Sequence, residues 1–188
     1  MGFDLYGMNP IEQEHKKPNL ELHDQDPEAW HKQYEHWITQ DGTYFRANVW
    51  WWRQLANYVL FCCQDCIPEK DYEGWHSNGG HQVSEALAWK IADRVQKHID
   101  SGDAKQVEDE IMDKVKKAKE HNKFIDKQMS DLLIKHNVQV ARDLEPKHKE
   151  EWDEIYAKKD WADSYPFSVE LLESFVKFCR ESGGFEIC

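Results

Sequence analysis

Residues 44–53 read Tyr44-Phe45-Arg46-Ala47-Asn48-Val49-Trp50-Trp51-Trp52-Arg53, and half of them are aromatic. Apolar residues continue at helical spacing as far as Cys66, two residues before a proline. This pattern predicts a helix from about Ala47 to Cys66 that is apolar around most of its circumference, as a buried central helix would be. Because neighbouring residues on a helix diverge by about 100°, the three tryptophans cannot form one platform.

One narrow strip of the predicted helix is polar. It consists of Arg46, Arg53, Asn57 and Gln64, with Trp50 and Phe61 at its edges. Two guanidinium groups on a buried helix need anionic partners, because an unpaired buried charge is strongly destabilising. Two interpretations stay open. Either a carboxylate pairs with the arginines inside the core (Asp4, Glu170 or Glu186), or the arginines hold a ligand's phosphate or carboxylate while an aromatic face packs on a base or sugar.

The two ends of the chain carry strand patterns. Met1–Gly7 and Phe185–Cys188 both alternate apolar and polar residues, so we expect them to pair. Between them, apolar periodicity and capping residues predict helices. These begin at Asp26-Pro27, near Val83, at Asp103, at Pro146 and at Ser168. The predicted fold is mainly α, or α+β at most: a compact helical domain with a minimal two-stranded sheet that joins the N- and C-terminal ends.

Aromatic residues are unevenly distributed along the chain. Residues 93–160 hold 17 acidic and 15 basic side chains but only three of the 24 aromatic ones. A large core needs large apolar side chains. We therefore expect residues 1–92 and 161–188 to form one aromatic core domain together. Residues 93–160 would be a charged helical excursion that packs on this domain or projects from it.

The overall charge restricts the class of protein. The 188 residues include 24 Lys and Arg against 36 Asp and Glu, which gives a net charge of −12, and the mean hydropathy is −0.88. The aromatic content argues against global disorder, and the acidity argues against direct binding of nucleic acid. No apolar run reaches the roughly 18–20 residues that span a bilayer, and residues 1–20 lack the apolar core of a signal peptide. The sequence thus predicts a cytoplasmic protein without a membrane partner.

Three strings resemble a family of uncharacterised proteins from bacteriophages and bacteria. They are Met1-Gly2-Phe3-Asp4-Leu5-Tyr6-Gly7-Met8-Asn9-Pro10, residues 44–53, and Tyr165-Pro166-Phe167-Ser168-Val169-Glu170 through Phe178-Cys179-Arg180-Glu181-Ser182-Gly183-Gly184-Phe185-Glu186-Ile187-Cys188. Together they cover roughly a quarter of the chain. Bacterial members often look as though they carry a double Cys-x-x-Cys, zinc-ribbon-like insert before the Tyr-Pro-Phe-Ser string, where this chain has its charged segment. The resemblance implies that this insert is replaceable, and it suggests a phage protein that acts against host defences in the bacterial cytoplasm. It implies no particular activity.

The predicted ligand site combines the polar strip with groups expected at its rim. Its residues are Arg46, Arg53, Asn57, Trp50, Asp4, Tyr6, His76, Asn78, Tyr165 and Ser168. We expect a non-enzymatic protein that sequesters an anionic, nucleotide-like small molecule and needs no cofactor. One alternative is an acidic inhibitor that binds a host protein or imitates nucleic acid. Another is an enzyme that processes nucleotides with a histidine or carboxylate at the same site. The sequence leaves homo-oligomer formation open.

A zinc site is a minor alternative. Cys63-x-x-Cys66, followed by His76 and His81, approximates the spacing of a zinc finger. The cysteine pair lies on the predicted apolar helix, however, where free cysteine behaves as a small hydrophobe. We therefore expect free thiols in a reducing compartment and no bound metal.

Overall fold

A computed structural model describes residues 2–11, 16–161 and 166–188. Within these ranges the chain forms eight α-helices and one antiparallel sheet of four strands. The strands are β1 (Gly2–Gly7), β2 (Tyr44–Asn48), β3 (His81–Ser84) and β4 (Gly184–Ile187). The helices are α1 (Leu20–Gln25), α2 (Pro27–Ile38), α3 (Val49–Cys62), α4 (Tyr72–Trp75), α5 (Glu85–Asp100), α6 (Asp103–Lys135), α7 (Pro146–Tyr156) and α8 (Val169–Glu181). The mainly helical class is confirmed.

The sheet has the strand order β2-β1-β4-β3. The predicted pairing of the two chain ends is confirmed, with Leu5 of β1 opposite Ile187 of β4. The predicted number of strands is wrong, because β2 and β3 form the two edges. Both are short and lead directly into a helix. Their residues were therefore not distinguished from the apolar pattern of the helix that follows.

The aromatic helix begins later than its pattern predicted. Asn48 has an extended backbone, and its side-chain oxygen accepts hydrogen bonds from the backbone N–H groups of Trp50 and Trp51, both at 3.0 Å. This N-cap satisfies amides that have no partner within the helix. Arg46 therefore lies on β2 and not on the helix. The predicted caps of two other helices, Asp26 and Ser168, are confirmed.

An aromatic stack lies at the centre of the core. The ring of Trp52 stacks between Phe3 and Trp75, with centroid distances of 5.4 and 6.0 Å, and Phe175 packs edge-on against both tryptophans. The indole N–H of Trp52 donates a buried hydrogen bond to the carbonyl of Trp75 at 2.6 Å. One face of the sheet, which includes Leu5 and the other buried strand residues, packs against α3, α5 and α8.

The chain divides into two compact units. The first comprises residues up to Gln106 together with Phe167–Cys188, and the second is Val107–Pro166. The division differs from the predicted boundaries at 92/93 and 160/161, because α5 packs along α8 and the whole of α5 belongs to the first unit. Within the second unit, the Asn122 side chain of α6 donates to the carbonyl of Asp160 and accepts from its N–H group, at 2.7 and 2.9 Å.

Candidate functional site

The outer side of α3 carries a strip of exposed side chains. Asn48 sets the start of the helix, and from there the strip follows the helical period. It consists of Trp50, Arg53, Asn57 and Phe61, and Gln64 continues it in the turn after the helix. The opposite side of the helix is buried in the core, with Trp52 fully buried. The strip predicted from the sequence therefore exists, with the exception of Arg46.

Of the two interpretations, the one that places both arginines inside the core beside a carboxylate is wrong. The side chain of Arg46 is 64% exposed, and Arg53 is also exposed. Arg46 projects from the sheet face that lies opposite the core, and its Nε atom is 3.5 Å from the carboxylate of Asp4 on the neighbouring strand. Asp4 is one of the partners that the sequence suggested, but the pair is exposed. The reason is the strand period of two, which directs Phe45 and Ala47 inward and Arg46 outward.

The same face of the sheet carries a cluster of tyrosines. The hydroxyl of Tyr44 donates a hydrogen bond to Asp4, and the hydroxyls of Tyr6 and Tyr34 lie 3.3 Å apart. Burial, followed by the hydrogen bond to Asp4, raises the pKa of Tyr44. Three predicted site residues therefore lie here, on the side of the sheet away from α3: Asp4, Tyr6 and Arg46.

A groove runs beside the exposed strip of α3. It has a volume of about 410 Å³ and lies between α3 and the segment that contains α4. Its lining residues are Asn57, Leu60 and Phe61 from α3, Gln64 from the turn after it, and Tyr72, Glu73 and His76 from the facing segment. Arg53 lies one helical turn before Asn57, and its guanidinium packs over the ring of Trp50 at 5.3 Å from the centroid. Four predicted site residues are thus brought to one region: Trp50, Arg53, Asn57 and His76.

The facing segment contacts α3 close to Arg53. The hydrogen bond from Trp52 to the carbonyl of Trp75 fixes its register, so that His76 lies near the level of Arg53. Partial desolvation, followed by the positive charge of Arg53, lowers the pKa of His76. The imidazole is therefore neutral at pH 7, and Arg53 supplies the positive charge at this end of the groove.

The remaining predicted site residues have structural roles or cannot be placed. The Asn78 side chain donates to the carbonyl of Gly2 at 3.0 Å, which ties the segment after α4 to β1. Ser168 caps α8 through the N–H of Leu171 at 3.3 Å. Tyr165 lies outside the described residues.

The four residues of the zinc alternative do not form a metal site in the structure. Cys63 is fully buried, and desolvation raises the pKa of its thiol, whereas His76 is exposed in the groove. In the part of the chain that the structure describes, no three His, Cys, Asp or Glu side chains are grouped so that they could hold a metal ion. The side chain of His81 packs against Gly74, where an added Cβ would meet its ring.

The groove residues that sequence reasoning missed include Tyr72 and Glu73. They belong to a helix of four residues inside a segment rich in turn formers, which the sequence indicates as a loop. A single helical turn carries no periodic signal. Of two other cavities in the first unit, one adjoins the groove and shares Glu73 with it, and the larger, about 420 Å³, is lined by Lys16, Lys17 and residues of α1 and α2. Neither contains a residue of the predicted polar strip.

The chain matches no protein-family model, no curated protein and no solved structure. The resemblance to a family of phage and bacterial proteins therefore stays a prediction. None of the helices within the described ranges is both long and apolar enough to cross a membrane.

Proposed function

We propose that the protein binds an anionic, nucleotide-like small molecule in the groove beside α3 and sequesters it without turnover. The observation that carries the proposal is a groove of about 410 Å³ lined by two amide side chains and two aromatic rings, with the exposed Arg53 one helical turn before Asn57. This volume is within the usual range of small-molecule sites. Arg53 would bind the phosphate, because a guanidinium donates several N–H groups in a fixed plane.

The base would occupy the other end of the groove. Phe61 and Tyr72 offer aromatic faces there, and Asn57 and Gln64 offer amides that both donate and accept hydrogen bonds. Stacking on an aromatic ring contributes about 1–3 kcal/mol per base in single-stranded nucleic-acid sites. Arg46, Asp4 and Tyr6 are not part of this proposal, because they lie on the other side of the sheet from α3.

The test is a calorimetric titration of the protein with a panel of nucleoside monophosphates and cyclic nucleotides. We expect at least one of them to bind with a dissociation constant below 1 mM, and we expect chromatography to recover it unchanged after prolonged incubation. Recovery of a hydrolysed or transferred product would instead support the enzymatic alternative. If no member of the panel binds below about 1 mM, equivalent to about 4 kcal/mol of binding free energy, the proposal is wrong.

The biological role follows from the resemblance and not from the groove. A phage protein that sequesters a nucleotide signal would weaken a host defence that depends on this signal. The alternative of an acidic inhibitor that binds a host protein stays a prediction. It requires the excess negative charge to form one continuous surface.

A further inference from the structure

The groove contains one carboxylate, and an anionic ligand must accommodate it. Glu73 is exposed on α4 and lines the groove together with Tyr72 and Phe61. An ionised carboxylate only accepts hydrogen bonds, and it repels a phosphate that lies close to it. A ligand that binds here must therefore present N–H donors to Glu73 and keep its phosphate elsewhere.

The two charges occupy different places: Glu73 lines the groove with Phe61 and Tyr72, whereas Arg53 is outside this lining and its charge acts on His76. His76 lies near Arg53, because the hydrogen bond from Trp52 to the carbonyl of Trp75 holds the neighbouring residue against α3. Glu73 precedes His76 by three residues, and both line the groove. Phe61 follows Arg53 by eight residues, which is about 12 Å along the helix axis. A nucleotide that lies along the groove would place its phosphate towards Arg53 and its base beside Phe61 and Tyr72.

We infer that the groove prefers a guanine base, an inference that rests on the proposed function. The pairing edge of guanine carries two adjacent donors, the ring N1–H and the exocyclic amino group, and both can donate to one carboxylate. Adenine and cytosine present one amino donor beside a ring nitrogen that accepts, and uracil presents one N–H between two carbonyls. These acceptor atoms would lie opposite the Glu73 carboxylate, and the two would repel each other because neither can donate a hydrogen bond. Guanine is therefore the base that gives Glu73 two charge-assisted hydrogen bonds.

The test compares four nucleotides, GMP, IMP, AMP and CMP, by calorimetric titration of the full-length protein. IMP is the sharpest comparison, because it keeps the N1–H group of guanine and lacks only the exocyclic amino group. We expect GMP to bind about tenfold or more tightly than IMP, since a hydrogen bond to a charged group contributes about 1.5–3 kcal/mol. We expect AMP and CMP to bind more weakly than GMP by at least the same factor.

Substitutions test whether Glu73 determines the preference for guanine. The Glu73→Gln variant should bind GMP at least about tenfold more weakly and should reduce the difference between GMP and IMP. The matched control Glu173→Gln, at an exposed position of α8 away from the groove, should leave all four affinities unchanged. Equal binding of all four nucleotides by the wild-type protein, or an equal loss of all four in Glu73→Gln, would overturn the guanine preference and leave the proposed function standing. Absence of binding by any of them would overturn both.

Discussion

Arg53 is the residue on which the proposed site most depends. Its side chain is exposed, and its observed partner is the face of Trp50. An exposed cation–π contact contributes about 0.5–1 kcal/mol, so Arg53→Ala should change the free energy of unfolding by less than about 1 kcal/mol. The same substitution removes the expected phosphate contact, and we expect nucleotide affinity to fall at least about tenfold. Urea unfolding and calorimetry measure the two effects separately.

Arg142→Ala is the matched control for this prediction. Arg142 is also exposed, lies near Asp143, and belongs to the second unit. It should leave nucleotide binding unchanged. A large loss of stability in Arg53→Ala without a specific loss of binding would contradict the account, since it would give Arg53 a structural role.

His76 should make binding depend on pH. Its pKa in the free protein is lowered, so the imidazole is neutral at pH 7. A phosphate bound near Arg53 would stabilise the imidazolium and raise that pKa, so the complex would take up a proton. Affinity should therefore increase as the pH falls from about 7.5 towards 5.5, and level off below the pKa of the free protein. Calorimetry with a cyclic nucleotide measures this, because a phosphodiester does not titrate in this range.

The His76→Asn variant should bind with an affinity that is independent of pH over the same range. His31→Asn, on the exposed side of α2, should retain the wild-type dependence. An unchanged pH dependence in His76→Asn would show that another group takes up the proton.

At the scale of elements, glycine allows the backbones of the two chain ends to pack closely against each other. Gly183 follows α8 with φ +61°, and an added Cβ would lie 1.9 Å from the carbonyl oxygen of Asn9. Gly183→Ala therefore combines an unfavourable backbone conformation with a clash, and we expect it to destabilise the protein by at least about 2 kcal/mol. Gly102, between α5 and α6, has φ +86° but no atom within 4 Å of an added Cβ. Gly102→Ala should cost only about 1 kcal/mol. Equal losses in urea unfolding would contradict this difference.

The periodic elements were predictable from the sequence, and the short ones were not. The buried side of α3 follows from spacing alone, and the caps at Asp26 and Ser168 follow from residue type. The start of α3 was misjudged because Tyr44–Asn48 is aromatic like the helix that follows it, although its alternation and its final asparagine are signals of a strand and a cap. Three of the seven groove residues belong to α4 or its C-cap, and α4 is a single helical turn that only tertiary packing stabilises.

At the scale of the whole molecule, the first unit should fold without the second. Tyr58 in the first unit connects the two points at which the second unit is attached: its ring is 4.7 Å from that of Phe167 and 6.2 Å from that of His98. The Nδ1 atom of His98 lies 3.3 Å from the carboxylate of Asp103. The two ends therefore lie close together. A flexible linker of about six Gly and Ser residues in place of residues 107–166 should connect them.

We expect this shortened chain to unfold cooperatively and to retain nucleotide binding. Its amide NMR spectrum should overlay that of the first unit in the full chain, with differences confined to the linker ends. A collapsed spectrum with little dispersion would contradict the division into two units. The sequence predicts a charged segment with few aromatic residues. Because composition changes gradually along the chain, it placed the boundary of this segment inside α5.

The central claim is that the groove beside α3, and not the polar face of the sheet, binds the ligand. The most direct test follows amide chemical shifts of the ¹⁵N-labelled protein during titration with GMP. The account predicts saturable shifts along the groove, at Asn57, Gln64 and His76 among others, with little change at Asp4 and Arg46. Shifts centred on Asp4 and Arg46, or no saturable shifts at millimolar GMP, would contradict it.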